Sequence, residues 1–269
     1  MAGVLGGSAW KEAGVAARYA AFRPSYSKAI FDAIAKFSGK SEESKGETAV
    51  DIATGSGQAA FPLSTYFKRV LAVDFSQAQV DAGNSRKEKP DNVTFMLGSA
   101  EHSGVDASTA DLVTAAQAAH WFDIPAFAAE AKRVLRPQGT LSVWTYDLGA
   151  LETKEANATF QGFYHDTLDG CWSEKRKIVD ARYEPIYEEL KHHFGTVEKV
   201  TLEMPTTMTI HALVNYIGTW SGYAEYMKVQ GRDDPLPSLL DRLVSDLHAS
   251  SPHEVTKVVW PVTLINARV

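Results

Sequence analysis

The chain has 269 residues, of which 45% are hydrophobic and 22% are charged, and its formal net charge is −6 at pH 7. This composition excludes a disordered or collagen-like chain, and the length is sufficient to bury a large core without disulfides or a structural metal. The negative net charge argues against nucleic acid as a main partner, because a negatively charged protein surface repels a phosphate backbone.

Short apolar runs alternate with helix-like segments through the first half of the chain. Strands are predicted at residues 48–52, 69–74, 93–97, 111–115 and 140–146. Helices are predicted between them at residues 58–68, 77–87 and 124–135, and a turn at 136–139. Strands that alternate with helices predict an α/β fold with a parallel sheet that is covered on both faces.

The second half of the chain has a different pattern. It comprises an aromatic-rich helical segment, a strand, two helices and a last strand, predicted at residues 150–189, 197–203, 210–229, 236–248 and 258–267. We expect the extra helices to form a cap over the edge where the carboxyl ends of the parallel strands meet. Ligands of such sheets bind at that edge.

A glycine turn follows the first predicted strand. Gly55 and Gly57 allow positive φ and let a ligand approach the backbone closely. Asp74 ends the next strand, where a carboxylate can accept hydrogen bonds from both hydroxyls of a ribose. Asp51 precedes the turn, where it suits an ammonium group or ordered water, or else only caps the turn by accepting backbone N–H groups.

Two cofactors fit this turn. Residues 55–60 satisfy the permissive dinucleotide fingerprint G-x-G-x-x-G/A, which favours an NAD-dependent oxidoreductase. S-adenosylmethionine, which has no phosphate, also fits, because the Asp51 carboxylate suits an ammonium group better than a pyrophosphate. A non-catalytic regulator that binds such a cofactor is the third possibility.

Several segments together resemble the class I S-adenosylmethionine-dependent methyltransferases. They are Val50–Gly57, Ala72–Ser76, Gly98–Glu101, Ala115–Phe122 and Arg133–Gly139. Two more segments, Tyr19–Tyr26 and Ala119–Asp123, are similar to a subgroup that includes the trans-aconitate and cantharidin-detoxifying methyltransferases. Trp172, Arg176, Tyr183 and Thr219–Ser221 are also similar to residues of that subgroup.

The resemblance implies a Rossmann-like, mostly parallel sheet of seven strands with the last strand antiparallel, and a helical cap. It implies an N-terminal helical segment at 1–45, a cofactor-binding core at 46–148, and a cap with the last strands of the same sheet at 149–269. The implied cofactor is S-adenosyl-L-methionine. The implied cofactor-binding residues are Tyr19, Arg23, Asp51, Gly55, Gly57, Asp74, Phe75, Ser76, Ser99, Ala100, Glu101 and Gln117.

The resemblance favours O-methylation of a carboxylic acid, a small-molecule acceptor. The candidate acceptor-binding residues are Arg23, Trp121, Tyr146, Trp172 and Trp220. A carboxylate needs no general base, whereas a phenol, an alcohol or an amine does. His120 is the candidate catalytic residue, as a base or as a hydrogen-bond donor to the acceptor, unless it is only structural. Arg176 and Arg182 are either solvated or pair with an acidic acceptor.

The remaining features concern the location of the protein and its partners. The single cysteine, Cys171, cannot form an internal disulfide and fits a reducing compartment. Residues 1–19 have no apolar core of secretory type, and no apolar run approaches the ~18 residues needed to cross a bilayer. We therefore expect a cytoplasmic protein with no membrane or metal partner; the oligomeric state is undetermined.

Overall fold

The structure is a computed structural model, and it describes residues 25–269. Within that range the strands form one sheet. They are β1 (Gly46–Ile52), β2 (Phe67–Asp74), β3 (Val93–Leu97), β4 (Ala110–Ala116), β5 (Leu135–Tyr146), β6 (Ala150–Leu151), β7 (Thr196–Thr209) and β8 (Val255–Arg268).

The strand order is β3-β2-β1-β4-β5-β8-β6, and β7 pairs with the other side of β8. Strands β1 to β5 are parallel, and β8 runs antiparallel to β5, β6 and β7. The predicted α/β sheet with an antiparallel last strand is therefore confirmed. The described residues form eight strands, whereas seven are expected from the sequence. The additional strand is β6, whose two residues are too few to leave a periodic pattern in the sequence.

The helices cover both faces of the sheet and the edge where the carboxyl ends of the parallel strands meet. They are α1 (Lys28–Ser38), α2 (Ala60–Leu63), α3 (Gln77–Ser85), α4 (Ile124–Val134), α5 (Lys154–Gly162), α6 (Arg176–Asp180), α7 (Glu184–Leu190), α8 (Ile210–Ile217), α9 (Ser221–Met227) and α10 (Leu236–Asp246). A 3₁₀ turn at Ala119–Trp121 and a π turn at Phe163–Thr167 complete the set. Within the described range, no helix is long and apolar enough to cross a bilayer.

The helix predicted at 58–68 is much shorter in the structure. Helix α2 ends at Leu63, and β2 already begins at Phe67. Ser64 and Thr65 donate their hydroxyl protons to the carbonyls of the preceding turn, which competes with helix propagation. Phe67 is fully buried and pairs with the first residue of β1, so tertiary burial decides in favour of the strand.

Other predicted elements also differ from the structure. The helix predicted at 210–229 is divided into α8 and α9 by residues 218–220. The helical segment 150–189 contains breaks at Gly170, Arg182 and Tyr183, which all have positive φ. The turn predicted at 136–139 lies inside β5, where the pairing with β4 shifts register between Leu135 and Thr140. That turn is therefore a bulge within the strand.

The core consists of one apolar layer on each face of the sheet. Trp144 and Phe31 belong to the layer under α1, where their rings meet edge to face at 6.1 Å. Phe127 and Leu141 belong to the opposite layer, under α4 and α7. Since both faces are covered, the edge formed by the carboxyl ends of the parallel strands is where a ligand can enter.

Candidate active site

A cavity of about 630 Å³ lies at that edge, and residues from both halves of the sequence line it. The part that we call the strand half is lined by Ala53, Gly55, Asp74, Phe75, Ser76, Gln79, Gly98, Ser99, Ala100 and Glu101. The part that we call the cap half is lined by Tyr146, Asp147, Leu148, Trp172, Ser173, Lys175, Arg176, Tyr216, Trp220, Ser221 and Trp260. Between them lie Ala116, Gln117, Ala118, His120, Trp121 and Phe122.

The glycine turn and Asp74 form one hydrogen-bonded unit. Gly55 has φ 57°, and its N–H donates to the Asp74 carboxylate at 2.8 Å. The other Asp74 oxygen accepts the Ser76 N–H at 2.9 Å. Burial raises the pKa of Asp74, and the backbone N–H groups of Ser76, Gly55 and Phe75 act against that rise. The residue lies in the cavity wall, at the strand end where the sequence places it.

Asp51 lies beneath the cavity rather than in its wall. Its two oxygens accept the hydroxyls of Thr54 and Thr114, each at 2.6 Å. Complete burial raises the pKa of Asp51 to about 6 despite these bonds. Gly57 is likewise absent from the wall; a Cβ there would lie 2.5 Å from the Phe61 ring, so glycine is needed for packing.

The other strand-half residues predicted from the sequence also line the cavity. Phe75 lines the wall and is 52% exposed, so its ring is accessible to a ligand in the cavity. Ser99 accepts the His102 N–H at 3.0 Å and so closes the turn that holds Ala100. Glu101 also lines the wall.

Gln117 connects the two halves. It has φ 53°, and its amide oxygen accepts the Tyr146 N–H at 2.8 Å and the Thr145 hydroxyl at 2.9 Å. Because a backbone N–H can only donate, these bonds fix which end of the amide carries the oxygen.

His120 lines the cavity from the 3₁₀ turn. Its Nδ1 lies 2.8 Å from the hydroxyl of Tyr183, which is fully buried. No local sequence pattern indicates this partnership, because 63 residues separate the two. Trp121, beside it, is 39% exposed.

The cap half contains a cation whose role the sequence left undecided. Arg176 stacks over the rings of Tyr164 and Trp172, with its guanidinium carbon 5.0 and 5.3 Å from their centres. Its Nε donates to the Tyr164 hydroxyl and to Asp180. Arg182 instead pairs with Asp147 at 3.6 Å and is not part of the cavity wall.

Two predicted residues lie outside the described range, namely Tyr19 and Arg23. Tyr216 and Trp260 were missed by sequence reasoning and lie in the wall. Their only local signal is the aromatic content of the segments that carry them. Across residues 25–269, no group of three or more His, Cys, Asp or Glu side chains is arranged to hold a metal ion.

Comparison with known proteins gives consistent matches. The pattern of a methyltransferase domain matches residues 50–143. A Dictyostelium discoideum protein that is named as a methyltransferase is 34% identical over 250 residues, which cover 92% of this chain and 90% of that one. The chain belongs to the class I S-adenosylmethionine-dependent methyltransferases.

A bacterial structure and a yeast protein agree with this assignment. The structure, described as a type II methyltransferase from Anaeromyxobacter dehalogenans, has a TM-score of 0.78 and 32% identity, and the match covers 92% of this chain and 98% of that one. The Saccharomyces cerevisiae protein is named as an S-adenosylmethionine-dependent methyltransferase and is 24% identical over 276 residues, which cover 91% of this chain and 92% of that one.

The cofactor of this methyltransferase is S-adenosyl-L-methionine, and the strand half fits it. The wall there contains the carboxylates of Asp74 and Glu101 and no lysine or arginine among the described residues. Such a wall repels a pyrophosphate and attracts a cofactor that carries a sulfonium and an ammonium group. The NAD-dependent alternative is therefore disfavoured on electrostatic grounds as well as by family.

Proposed function

We propose that this methyltransferase esterifies a small carboxylic acid. The observation that carries the proposal is the charge of the cap half. Its wall holds two cations, Lys175 and Arg176, and one carboxylate, Asp147, whose pKa is raised by burial. The terminal nitrogens of Arg176 make no hydrogen bond with the described residues, so the planar fork is available to a carboxylate.

The aromatic wall supplies the rest of the acceptor site. Tyr146, Trp172 and Trp220, with Trp121 at the rim, would contact the apolar body of the acid and exclude water. Arg23 remains a second candidate for the acid group. The similarity of residues 19–26 and 119–123 to the trans-aconitate and cantharidin-detoxifying methyltransferases supports a small acid of this kind.

The strand half would hold the cofactor, which when bound supplies an electrophilic methyl group on its sulfonium. Asp74 would bind the ribose hydroxyls, with the adenine between the Phe75–Ser76 and Ser99–Glu101 segments. The glycine turn and Gln117 would hold the methionine portion, and Tyr19 and Arg23 would close the site. Asp51 would act on the amino group through the Thr54 turn rather than by direct contact.

The chemistry requires alignment more than acid–base catalysis. A carboxylate is already deprotonated, so its oxygen needs only to be held in line with the methyl group in a site without water. His120 would contact the acceptor. The chain would divide into an N-terminal segment at 1–45, a cofactor-binding core at 46–148 and a cap at 149–269. The cap would supply Trp172, Arg176 and Trp220 to the acceptor site, and the core would supply His120, Trp121 and Tyr146.

A panel of acids, phenols and amines with radiolabelled cofactor tests this proposal. We expect transfer to acids, and Arg176→Gln should raise the acceptor KM by about 10-fold or more, since it removes a charged hydrogen-bonding partner. The affinity for S-adenosylhomocysteine should not change. Arg69→Gln, which removes an exposed arginine outside the wall, is the control. Transfer only to amines, no transfer at all, or an unchanged acceptor KM in Arg176→Gln would overturn the proposal.

A further inference from the structure

The arginine of the cap half is held by a residue that does not itself line the cavity. Tyr164 is 3% exposed and is not part of the cavity wall. Its hydroxyl oxygen accepts a hydrogen bond from Nε of Arg176, and the guanidinium stacks on its ring, with the guanidinium carbon 5.0 Å from the ring centre. Since Arg176 lines the wall, Tyr164 supports the group that would bind the acceptor.

The direction of each hydrogen bond around Nε follows from the chemistry of the groups involved. The Asp180 carboxylate can only accept, so the Tyr164 hydroxyl donates to it at 2.8 Å. The Tyr164 oxygen then accepts from Nε of Arg176. The same Nε–H also points to Asp180 at 3.0 Å. The three side chains therefore form a closed triangle of hydrogen bonds.

This triangle engages only one nitrogen of the guanidinium. The two terminal nitrogens of Arg176 make no hydrogen bond with any of residues 25–269, although the side chain is only 20% exposed. A guanidinium that is held through Nε presents its terminal N–H groups as a pair, which matches the two oxygens of a carboxylate. The orientation therefore favours a carboxylate that binds end-on.

The backbone at Tyr164 allows the same residue to hold Trp172. Tyr164 lies in the π turn at Phe163–Thr167, where the Leu168 N–H donates to the Phe163 carbonyl at 3.1 Å. In a regular α-helix that N–H would bind the Tyr164 carbonyl instead. The Tyr164 carbonyl accepts the indole N–H of Trp172, at 3.1 Å. Such π turns occur frequently at functional sites.

Ring contacts complete the arrangement. The ring centroids of Tyr164 and Trp172 are 4.4 Å apart, and the guanidinium carbon of Arg176 lies 5.3 Å from the Trp172 ring. The ring of Trp220 meets that of Tyr164 edge to face, with 5.7 Å between centroids. A single residue outside the wall thus contacts all three of the cap residues that the proposed function assigns to the acceptor.

We propose that Tyr164, supported by Asp180, is a positioning residue that sets the geometry of acceptor recognition. It holds Arg176 through Nε, so that the two terminal nitrogens remain for the acceptor carboxylate, and it holds Trp172 beside them. The identity of the acceptor rests on the proposed function, whereas the orientation of Arg176 does not depend on it.

The orientation of Arg176 can be measured without any acceptor, by ¹⁵N NMR of arginine-labelled protein, with Arg176→Lys to assign the Nε–H signal. We expect this proton to exchange slowly with solvent in the wild type, because two acceptors hold it. Tyr164→Phe keeps the ring and removes one acceptor, so exchange should be about 5-fold faster. In the double variant Tyr164→Phe/Asp180→Ala, exchange should approach the rate of an exposed arginine.

Tyr187→Phe is the matched control, because Tyr187 also contacts two cations, Lys191 and Lys199, and lies outside the wall. It should leave the exchange of the Arg176 Nε–H unchanged. A wild-type Nε–H that exchanges as fast as those of exposed arginines, or equally fast in the wild type and in Tyr164→Phe, would overturn the proposal. Either result would stand even if no acid were methylated, so this test and that of the proposed function fail separately.

For an accepted acid, a double-mutant cycle provides the kinetic test. Tyr164→Phe should raise the acceptor KM about 5-fold and leave kcat and the affinity for S-adenosylhomocysteine unchanged, since it weakens a binding contact. In the Arg176→Gln background the same substitution should have no further effect on the acceptor KM, because the group that Tyr164 positions is missing. A loss of kcat in place of the rise in KM, or equal effects in both backgrounds, would contradict the positioning role.

Discussion

Two buried carboxylates near the glycine turn have different environments. Asp74 lies in the cavity wall and accepts two backbone N–H groups, whereas Asp51 lies beneath it and accepts two threonine hydroxyls. Complete burial raises the pKa of Asp51 to about 6, although the two hydroxyls act against that rise. The ionised form of Asp51 therefore costs stability at neutral pH.

Replacement of Asp51 should change how stability depends on pH. Folding raises the pKa of this carboxyl from its ordinary value of 3.8 to about 6, so the folded state holds the proton more strongly and the free energy of unfolding falls as pH rises through this window. Asp51→Asn should gain on the order of 3 kcal/mol relative to wild type between pH 4 and pH 7. Urea unfolding of the cofactor-free protein measures this, and parallel curves for the two proteins would refute it.

The control for that measurement is Asp91→Asn, because Asp91 is exposed. Its stability curve should run parallel to that of the wild type over the same pH range. Any divergence specific to Asp51→Asn then reports the buried carboxylate.

At the scale of elements, close packing between helices shapes the cap half. Helix α9 places Gly222 against the indole of Trp172, where an added Cβ would lie 2.8 Å from the ring. Trp172 is also held by its N–H, which donates to the Tyr164 carbonyl at 3.1 Å. The position of α9 therefore determines where an aromatic wall of the cavity lies.

Gly222→Ala should alter acceptor recognition without affecting the cofactor. The methyl group forces Trp172 to move, and overpacking of this kind lowers stability by about 1–3 kcal/mol. If the displaced indole costs about 1 kcal/mol of acceptor binding, the acceptor KM rises about 5-fold. The affinity for S-adenosylhomocysteine should stay the same. Gly195→Ala, where an added Cβ meets nothing within 4 Å, is the control. Equal kinetics of Gly222→Ala and wild type would refute this role of α9.

At the scale of the whole molecule, the cavity joins segments that are far apart in sequence. The long β8 strand pairs with β5 on one side and with β7 on the other, which connects the core to the cap. Both parts line the cavity, so a ligand that fills it would contact both. Binding should therefore stabilise the whole described fold rather than one half of it.

A thermal melt tests this coupling and the identity of the cofactor. At 100 times its Kd, S-adenosylhomocysteine should add about 2.7 kcal/mol, which raises a single Tm by roughly 5–10 °C. Asp74→Ala should lose about 1.5 kcal/mol of binding and so about half of this rise. The exposed Asp81→Ala is the control. A Tm raised by NADH instead, or an equal rise in Asp74→Ala, would contradict the placement of the cofactor.

Much of the strand half could be predicted from the sequence because its signals are local. The strand, glycine turn and acidic strand end that include Gly55 and Asp74 are contiguous segments, and parallel pairing brings their ends together by geometry. The predicted wall residues Phe75, Ala100 and Gln117 lie where the strand ends put them. Burial of Asp51 and Gly57 below the wall depends on packing across the sheet, which no local pattern records.

The sequence alone determined the sheet class, the family and the edge of the sheet at which the cavity lies, since periodicity and short motifs specify these over a few residues each. Only the tertiary structure decided that Arg176 belongs to the cavity wall and that Tyr183 contacts His120. These contacts join helices and loops distant in sequence, and their stacking and hydrogen-bond energies arise only once the chain has folded.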